Sequence, residues 1–209
     1  MVLVVGKDMK KKKIEFERMI FFSDAVFAIA ITLLAFNLKL PENSSHLART
    51  SLSNYLSSIS PQFHGYIVSF LVIGFYWVSH HRYFRYIKHY NYILVWLNIG
   101  FLMCIAFLPF STAILNDYSG QRLAVILYAG SMAFVGLMKA LLWWYASSHR
   151  RLVASSLSNR LIRSLTYHTL VPPLIFLGSI AIAYLNPFLA EFSWLSILIY
   201  FVVLKIRWL

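Results

Sequence analysis

The chain has 209 residues, of which 60% are hydrophobic and only 12% charged, yet its formal net charge is +12. Its mean hydropathy is +0.68. Soluble domains are usually about 45–50% apolar and about 25% charged, so this composition excludes a disordered chain, a coiled coil and a disulfide scaffold, and argues against a soluble enzyme.

What remains is a polytopic membrane protein of all-α class. A helix crossing the hydrocarbon core needs about 20 mostly apolar residues. In chain order, Lys7, Lys10, Lys11, Lys12 and Lys13 precede an apolar run that starts near Met19. That run is too long for a signal sequence and no small-residue cleavage site follows it, so it reads as a retained first span over 19–40. Further spans are expected at 61–79, 93–115, 123–145, 165–185 and 192–208. Turn formers separate them: Pro41-Glu42-Asn43, Asn116-Asp117-Tyr118-Ser119-Gly120 and Asn186-Pro187. Between the first two spans, Leu47, Leu52, Leu56 and Ile59 recur among serines over 44–60. Two readings stay open there, a short interfacial amphipathic helix and a polar loop. No linker or internal repeat divides residues 1–209 into more than one domain.

The cations sort by side. Lys7, Lys10, Lys11, Lys12, Lys13, Arg18, Arg82, Arg85, Lys88, Arg150, Arg151, Arg160, Arg163, Lys205 and Arg207 fall on one side of the six spans. Lys39, Arg49 and Arg122 fall on the other, and Lys139 lies inside the fourth span. The positive-inside rule then places both termini in the cytosol. The basic excess sets orientation, with a secondary attraction to anionic lipid, and gives no support to nucleic-acid binding. Cys104 is the single cysteine, so neither an intrachain disulfide nor a thiolate metal site is expected.

Ionisable residues inside spans are the usual pointers to function, because each costs about 2.5–3.5 kcal/mol or more at the bilayer centre. Lys139 lies close enough to the cytosolic end to snorkel. His64 and His168 sit near span ends, and His80 and His81 end the second span. Adjacent helical residues point about 100° apart, and no carboxylate is close in sequence, so the histidine pair does not suggest a metal. No catalytic set of residues is recognisable, and an enzyme is not expected.

Asp24 is the exception. It lies well inside the first span and cannot reach headgroups as a lysine would. On a helical wheel, Ala25, Val26, Ile29, Leu33, Phe36 and Leu40 fall within about 60° of Phe22, Thr32 borders that stripe, and Asp24 lies about 160° away. Two readings compete. Ser23 and Asp24 either cap a late-starting helix, or they lock span 1 to its own bundle, with His80, His81 or Asn98 as candidate partners. In the second case the apolar stripe faces a symmetry axis.

The run Arg18-x-x-x-Phe22-Ser23-Asp24, continued by Ala25-Val26-Phe27-Ala28-Ile29-Ala30-Ile31-Thr32-Leu33, closely resembles the signature of the transmembrane protein 175 family of endosomal and lysosomal potassium channels and their bacterial relatives. Trp77-x-x-His80-His81-Arg82 and Leu108-Pro109-Phe110-x-Thr112 are further matches, and the resemblance covers the whole chain. It implies a six-helix subunit of a homotetrameric cation channel in a bacterial cell membrane, with no cofactor beyond permeant potassium ions. It also implies that span 1 lines the pore. The TVGYG filter of ordinary potassium channels is absent, and the resemblance puts an apolar ring at Ile29 in its place. Leu33 continues the narrow part and Thr32 is linked to cation preference. Phe36 falls in register a turn further on, and either lines the pore or packs aside. Arg18, Phe22, Ser23 and Asp24 form the motif whose polar members hold the helices together. The alternative is a proton-conducting or proton-coupled carrier that uses Asp24, His80 and His81 as a relay.

Overall fold

The computed structural model describes residues 2–38, 56–57, 59–197 and 199–200, with residues 2–12 and Pro61 described by backbone alone. Among these residues the chain is helical, and its extended pairing is limited to one isolated bridge between Ile87 and Val153. The helices are α1 (Val2–Leu33), α2 (Ser60–Tyr86), α3 (Tyr92–Asp117), α4 (Arg122–Ser147), α5 (Asn159–Leu185) and α6 (Pro187–Ser193). The last turn of α1 tightens into a 3-10 helix over Leu34–Asn37.

Local chemistry sets the boundaries. Asn91 accepts from the Leu94 N–H at the start of α3, and Ser158 accepts from the Leu161 N–H at the start of α5. Asn186 caps α6 by accepting from the N–H groups of Phe188 and Leu189, with Pro187 in the first turn. These side chains satisfy amide donors that a helix start leaves without partners. Gly120, at φ 77°, supplies the left-handed turn between α3 and α4.

Among the described residues, four segments are long and apolar enough to cross a membrane: Lys13–Asn37, Tyr92–Asp117, Arg122–Arg150 and Asn159–Leu185. They correspond to the first, third, fourth and fifth expected spans. α2 is long enough at 27 residues, but Gln62, His64, Ser69, Ser79, His80, His81, Arg82 and Arg85 make it less apolar. Two boundaries differ from expectation. α1 starts far before residue 19, because the lysine-rich segment continues the same helix. α2 runs on to Tyr86, so His80 and His81 lie within it rather than at its end. The sixth expected span falls mostly outside the described residues: after α6 comes a turn at Trp194, then helix over 195–197 and 199–200. Of the 44–60 segment only residues 56–57 and 59–60 are described, so the choice between an interfacial helix and a loop lies outside the described residues.

The core has two parts. One joins Phe27, Ala30 and Leu34 of α1 to Ile73 and Tyr76 of α2, Phe101, Ile105 and Leu108 of α3, and Tyr128 and Met132 of α4. The other lies at the basic end, where Tyr83, Phe84 and Ile87 meet Leu94, Trp143, Val153 and Leu165. There the α2–α3 connection is tied to the α4–α5 connection, since Leu152 O accepts from the N–H groups of both Lys88 and His89. α4 packs against both α3 and α5, whereas α1 packs against α2 and α3. Small residues permit the closest approaches. A Cβ at Gly136 of α4 would stand 2.7 Å from the Pro173 ring of α5.

Lys139 does not snorkel. It is 6% exposed and points into the bundle, where it donates to Ser79 Oγ and lies 4.6 Å from the Tyr83 ring centroid and 5.6 Å from that of Tyr76. Aromatic faces and a hydroxyl replace the water that a snorkelling ammonium would seek.

Candidate functional site

α1 presents two unlike faces. Ser23, Phe27, Ala30 and Leu34 are buried against α2 and α3. The opposite face holds Phe22, Ala25, Ile29, Thr32, Leu33 and Phe36, all exposed in the single subunit. Ile29 is 58% exposed, Leu33 42% and Phe36 79%. Of the four apolar helices, α1 is the least buried within the subunit. The stripe therefore stays free of the chain's own described bundle.

The polar groups of α1 turn the other way. Asp24 Oδ1 accepts from the indole Nε1 of Trp77 at 2.9 Å and pairs with His81 Nε2 at 2.7 Å. Trp77 and His81 are four residues apart on α2, one above the other on the same face, and their rings meet edge to face. Ser23 enters a separate chain of bonds. Its Oγ donates to Met19 O and accepts from Asn98 Nδ2, both at 2.9 Å. Asn98 thus turns Oδ1 toward His80 Nε2, also at 2.9 Å, and that nitrogen is the donor. His80 is sandwiched between Phe84 and Phe101, with ring centroids 4.2 Å and 5.6 Å away. The three candidate partners therefore divide: His81 meets Asp24, whereas His80 and Asn98 serve Ser23.

Trp77, the second donor to Asp24, is not among those candidates. Its i, i+4 spacing from His81 is the signal that points to it. Arg18 stands exposed on the basic side of the motif and makes no hydrogen bond or ion pair among the described residues. Phe22 projects outward rather than into the cluster. On the stripe itself, the Thr32 hydroxyl donates to Ile29 O at 2.9 Å. Its proton is thus directed at the backbone, and its lone pairs face out. The exposed face offers a column of apolar side chains with one oxygen beside it. No three His, Cys, Asp or Glu side chains among the described residues converge as metal ligands would.

Residues 18–109 match the family model described as the endosomal/lysosomal potassium channel TMEM175. A potassium channel of Chamaesiphon minutus is 31% identical over 185 residues, which cover 87% of this chain and 88% of that one. The chain belongs to the TMEM175 family. TMEM175 proteins are ion channels rather than enzymes, and no cofactor belongs to their activity. The crystal structure of a lysosomal potassium-selective channel TMEM175 homolog from Chamaesiphon minutus superposes with a TM-score of 0.80 at 30% identity, covering 90% of this chain and 97% of that one. A potassium channel of Streptomyces collinus is 38% identical over 128 residues, 59% of this chain, and the match spans 61% of that relative's length. An animal TMEM175, from Danio rerio, is named an endosomal/lysosomal proton channel; it is 26% identical over 135 residues, and the match spans 25% of its length. The family match and the apolar helices make this a multi-pass membrane protein.

Proposed function

We propose that the protein is a potassium channel in which α1 lines a central pore shared by four copies of the chain. The observation that carries this is the division of α1. Ser23 and Asp24 are spent on helices of the same subunit, while the Phe22–Ile29–Leu33–Phe36 stripe is left uncovered. Facing copies of that stripe enclose a path with apolar walls.

A ring of Ile29 side chains offers no oxygen ligands, so an ion passes partly hydrated or as the ring widens, and apolar constrictions of this kind gate by dewetting. Ions that shed water at low cost pass more readily. Potassium, rubidium and caesium are therefore favoured over sodium, to a modest degree, with the outward lone pairs of Thr32 beside the ring. The channel lies in the bacterial cell membrane with both termini in the cytosol, an orientation that the one-sided distribution of cations supports.

Flux of potassium, caesium and sodium into liposomes carrying the wild type or Ile29→Asn tests the reading. The polar side chain hydrates the constriction and is expected to raise sodium passage. Unchanged flux and ion preference in Ile29→Asn would refute it. Proton passage is the second reading, favoured by the names of the animal relatives and by the Asp24–His81 pair. Acidification of the same liposomes under a pH gradient, without potassium movement, would establish it instead.

A further inference from the structure

Among the described residues, one lysine or arginine lies at the end of the bundle away from the basic segments: Arg122, the first residue of α4. It stands where two turns meet. Gly120 closes the turn before α4, and Asn186 and Pro187 form the turn between α5 and α6. A Cβ at Gly120 would stand 3.2 Å from the Phe188 ring, so the two turns are in contact. Both turns end membrane-spanning segments, and they therefore mark one boundary of the hydrocarbon core. α5 and α6 pack mainly on α4 and on each other, whereas α1 packs on α2 and α3, so α1 does not cover this corner.

Gly120, Arg122, Leu123, Ile126, Tyr184 and Pro187 line an open cavity of about 470 Å³ at the corner. The guanidinium carbon of Arg122 lies 5.3 Å from the centroid of the Tyr184 ring. Stacking on a ring occupies one face of a guanidinium and leaves the N–H donors along its edge available as a fork. None of those donors meets an acceptor among the described residues, and neither Asp117 nor Glu191, the carboxylates of the same end, forms an ion pair with Arg122. Toward the membrane interior the surface is apolar. Ile126 follows Arg122 by one helical turn on the same face, and Leu123 and Leu185 are exposed beside it. A cation held at the membrane boundary above an uncovered apolar strip matches an amphiphile whose anionic end sits at that depth.

We propose that this corner binds one anionic phospholipid: Arg122 forks onto two oxygens of the phosphodiester, Tyr184 fixes the plane of the guanidinium, and an acyl chain lies along Leu123 and Ile126. Arginine matches phosphate oxygens in this bidentate way. Charge selects the lipid. The corner carries a positive charge that no acid answers, and a headgroup of net negative charge, such as phosphatidylglycerol, neutralises it. The choline of phosphatidylcholine would instead bring a second cation beside the first. Free phosphate lacks the chains that cover the apolar strip. The proposal requires only that the chain spans a membrane, and it stands apart from the reading that α1 lines the pore.

The test uses the full chain in liposomes of mixed phosphatidylcholine and phosphatidylglycerol, with one or the other lipid carrying a photoactivatable diazirine in its acyl chain. The labelled peptides are then quantified. In the wild type, the phosphatidylglycerol probe is expected to label the peptides of Leu123–Ile126 and Tyr184–Leu185 several-fold more than the phosphatidylcholine probe does. Arg122→Gln keeps a polar side chain and removes the charge, and the excess is expected to vanish. Tyr184→Leu keeps apolar bulk and removes the stack, and the excess is expected to fall in part. The peptide of Ile93 and Trp96 is the internal reference: it lies at the basic end, where Arg82, Arg85 and Lys88 attract the same lipid, and its labelling should hold in both variants. Equal labelling of the corner by the two probes in the wild type overturns the proposal, as does an excess that survives Arg122→Gln. A fall of the same size at the reference peptide assigns the effect to the fold rather than to the site, and likewise overturns it. Excess inorganic phosphate is expected to leave the labelling unchanged. Loss of the excess in its presence would make the corner a site for free anions and overturn the assignment to lipid.

Discussion

His81 Nε2 lies 2.7 Å from Asp24 Oδ1, and this contact fastens the polar side of α1 to α2. Trp77 donates to the same oxygen. His81→Ala therefore leaves a half-buried carboxylate with one of its two partners. Loss of a hydrogen bond to a charged group costs about 1.5–3 kcal/mol, so the apparent melting temperature of the detergent-solubilised protein is expected to fall by several degrees. Asp24→Ala removes the acceptor for both donors, and should impair assembly on size-exclusion chromatography more than it changes potassium-to-sodium preference. A well-assembled Asp24→Ala protein with inverted preference would show that Asp24 acts on ions directly.

Lys139 is caged by Ser79, Tyr76 and Tyr83, and no carboxylate among the described residues pairs with it. Replacing a buried charge by an apolar side chain of similar volume is often neutral or stabilising. Lys139→Met is expected to melt at or above the wild-type temperature. Lys139→Ala removes the packed stem as well, and truncations of that size in a core cost about 2–5 kcal/mol. Thermal melts of the two variants check the order. A Met variant as unstable as the Ala variant would mean that the charge itself holds α2 to α4.

Much of this arrangement is legible in the residues. The wheel separates Asp24 from the Phe22–Ile29–Leu33 stripe because α1 is regular there, and angular arithmetic holds over regular helix. The same arithmetic keeps Phe36 on the stripe, where it is 79% exposed, but it does not announce that the winding tightens into a 3-10 turn over Leu34–Asn37. Lys139 is misjudged. Its distance from the helix end permits snorkelling, but the aromatic cage that draws it inward belongs to α2, and single-helix periodicity carries no information about a neighbour. Choosing among His80, His81 and Asn98 as partners of Asp24 also requires the rotation of α2 and α3 about their axes, which only packing fixes.

Gly136 and Gly130 both lie in α4, yet a Cβ at Gly136 meets the Pro173 ring at 2.7 Å, while at Gly130 it meets nothing within 4 Å. Alanine favours a helix interior over glycine by about 0.5–1 kcal/mol. Gly130→Ala is expected to be neutral or slightly stabilising. Gly136→Ala must push α4 from α5, and overpacking of this kind costs about 1–3 kcal/mol. Melting temperatures of the two variants should therefore move in opposite directions or diverge by several degrees. Equal behaviour would show that the α4–α5 contact yields without cost.

Thr32 is the one side chain on the exposed stripe with an oxygen, and its hydroxyl proton is already directed at Ile29 O. Thr32→Val keeps the β-branched shape and removes that oxygen. An exposed hydroxyl bonding to its own helix adds little to stability, so melting and assembly should stay near wild type. If the lone pairs of Thr32 assist a partly dehydrated ion beside the Ile29 ring, their loss removes an interaction of about 0.5–1.5 kcal/mol, equivalent to about a two- to tenfold drop in potassium-over-sodium preference. Thr32→Ser restores the oxygen and should recover most of the preference. Liposome flux of the two ions for wild type, Val and Ser variants reads this directly. A Val variant with wild-type preference would leave the apolar ring as the sole discriminator, and a Ser variant as poor as Val would assign the effect to side-chain shape rather than to the hydroxyl.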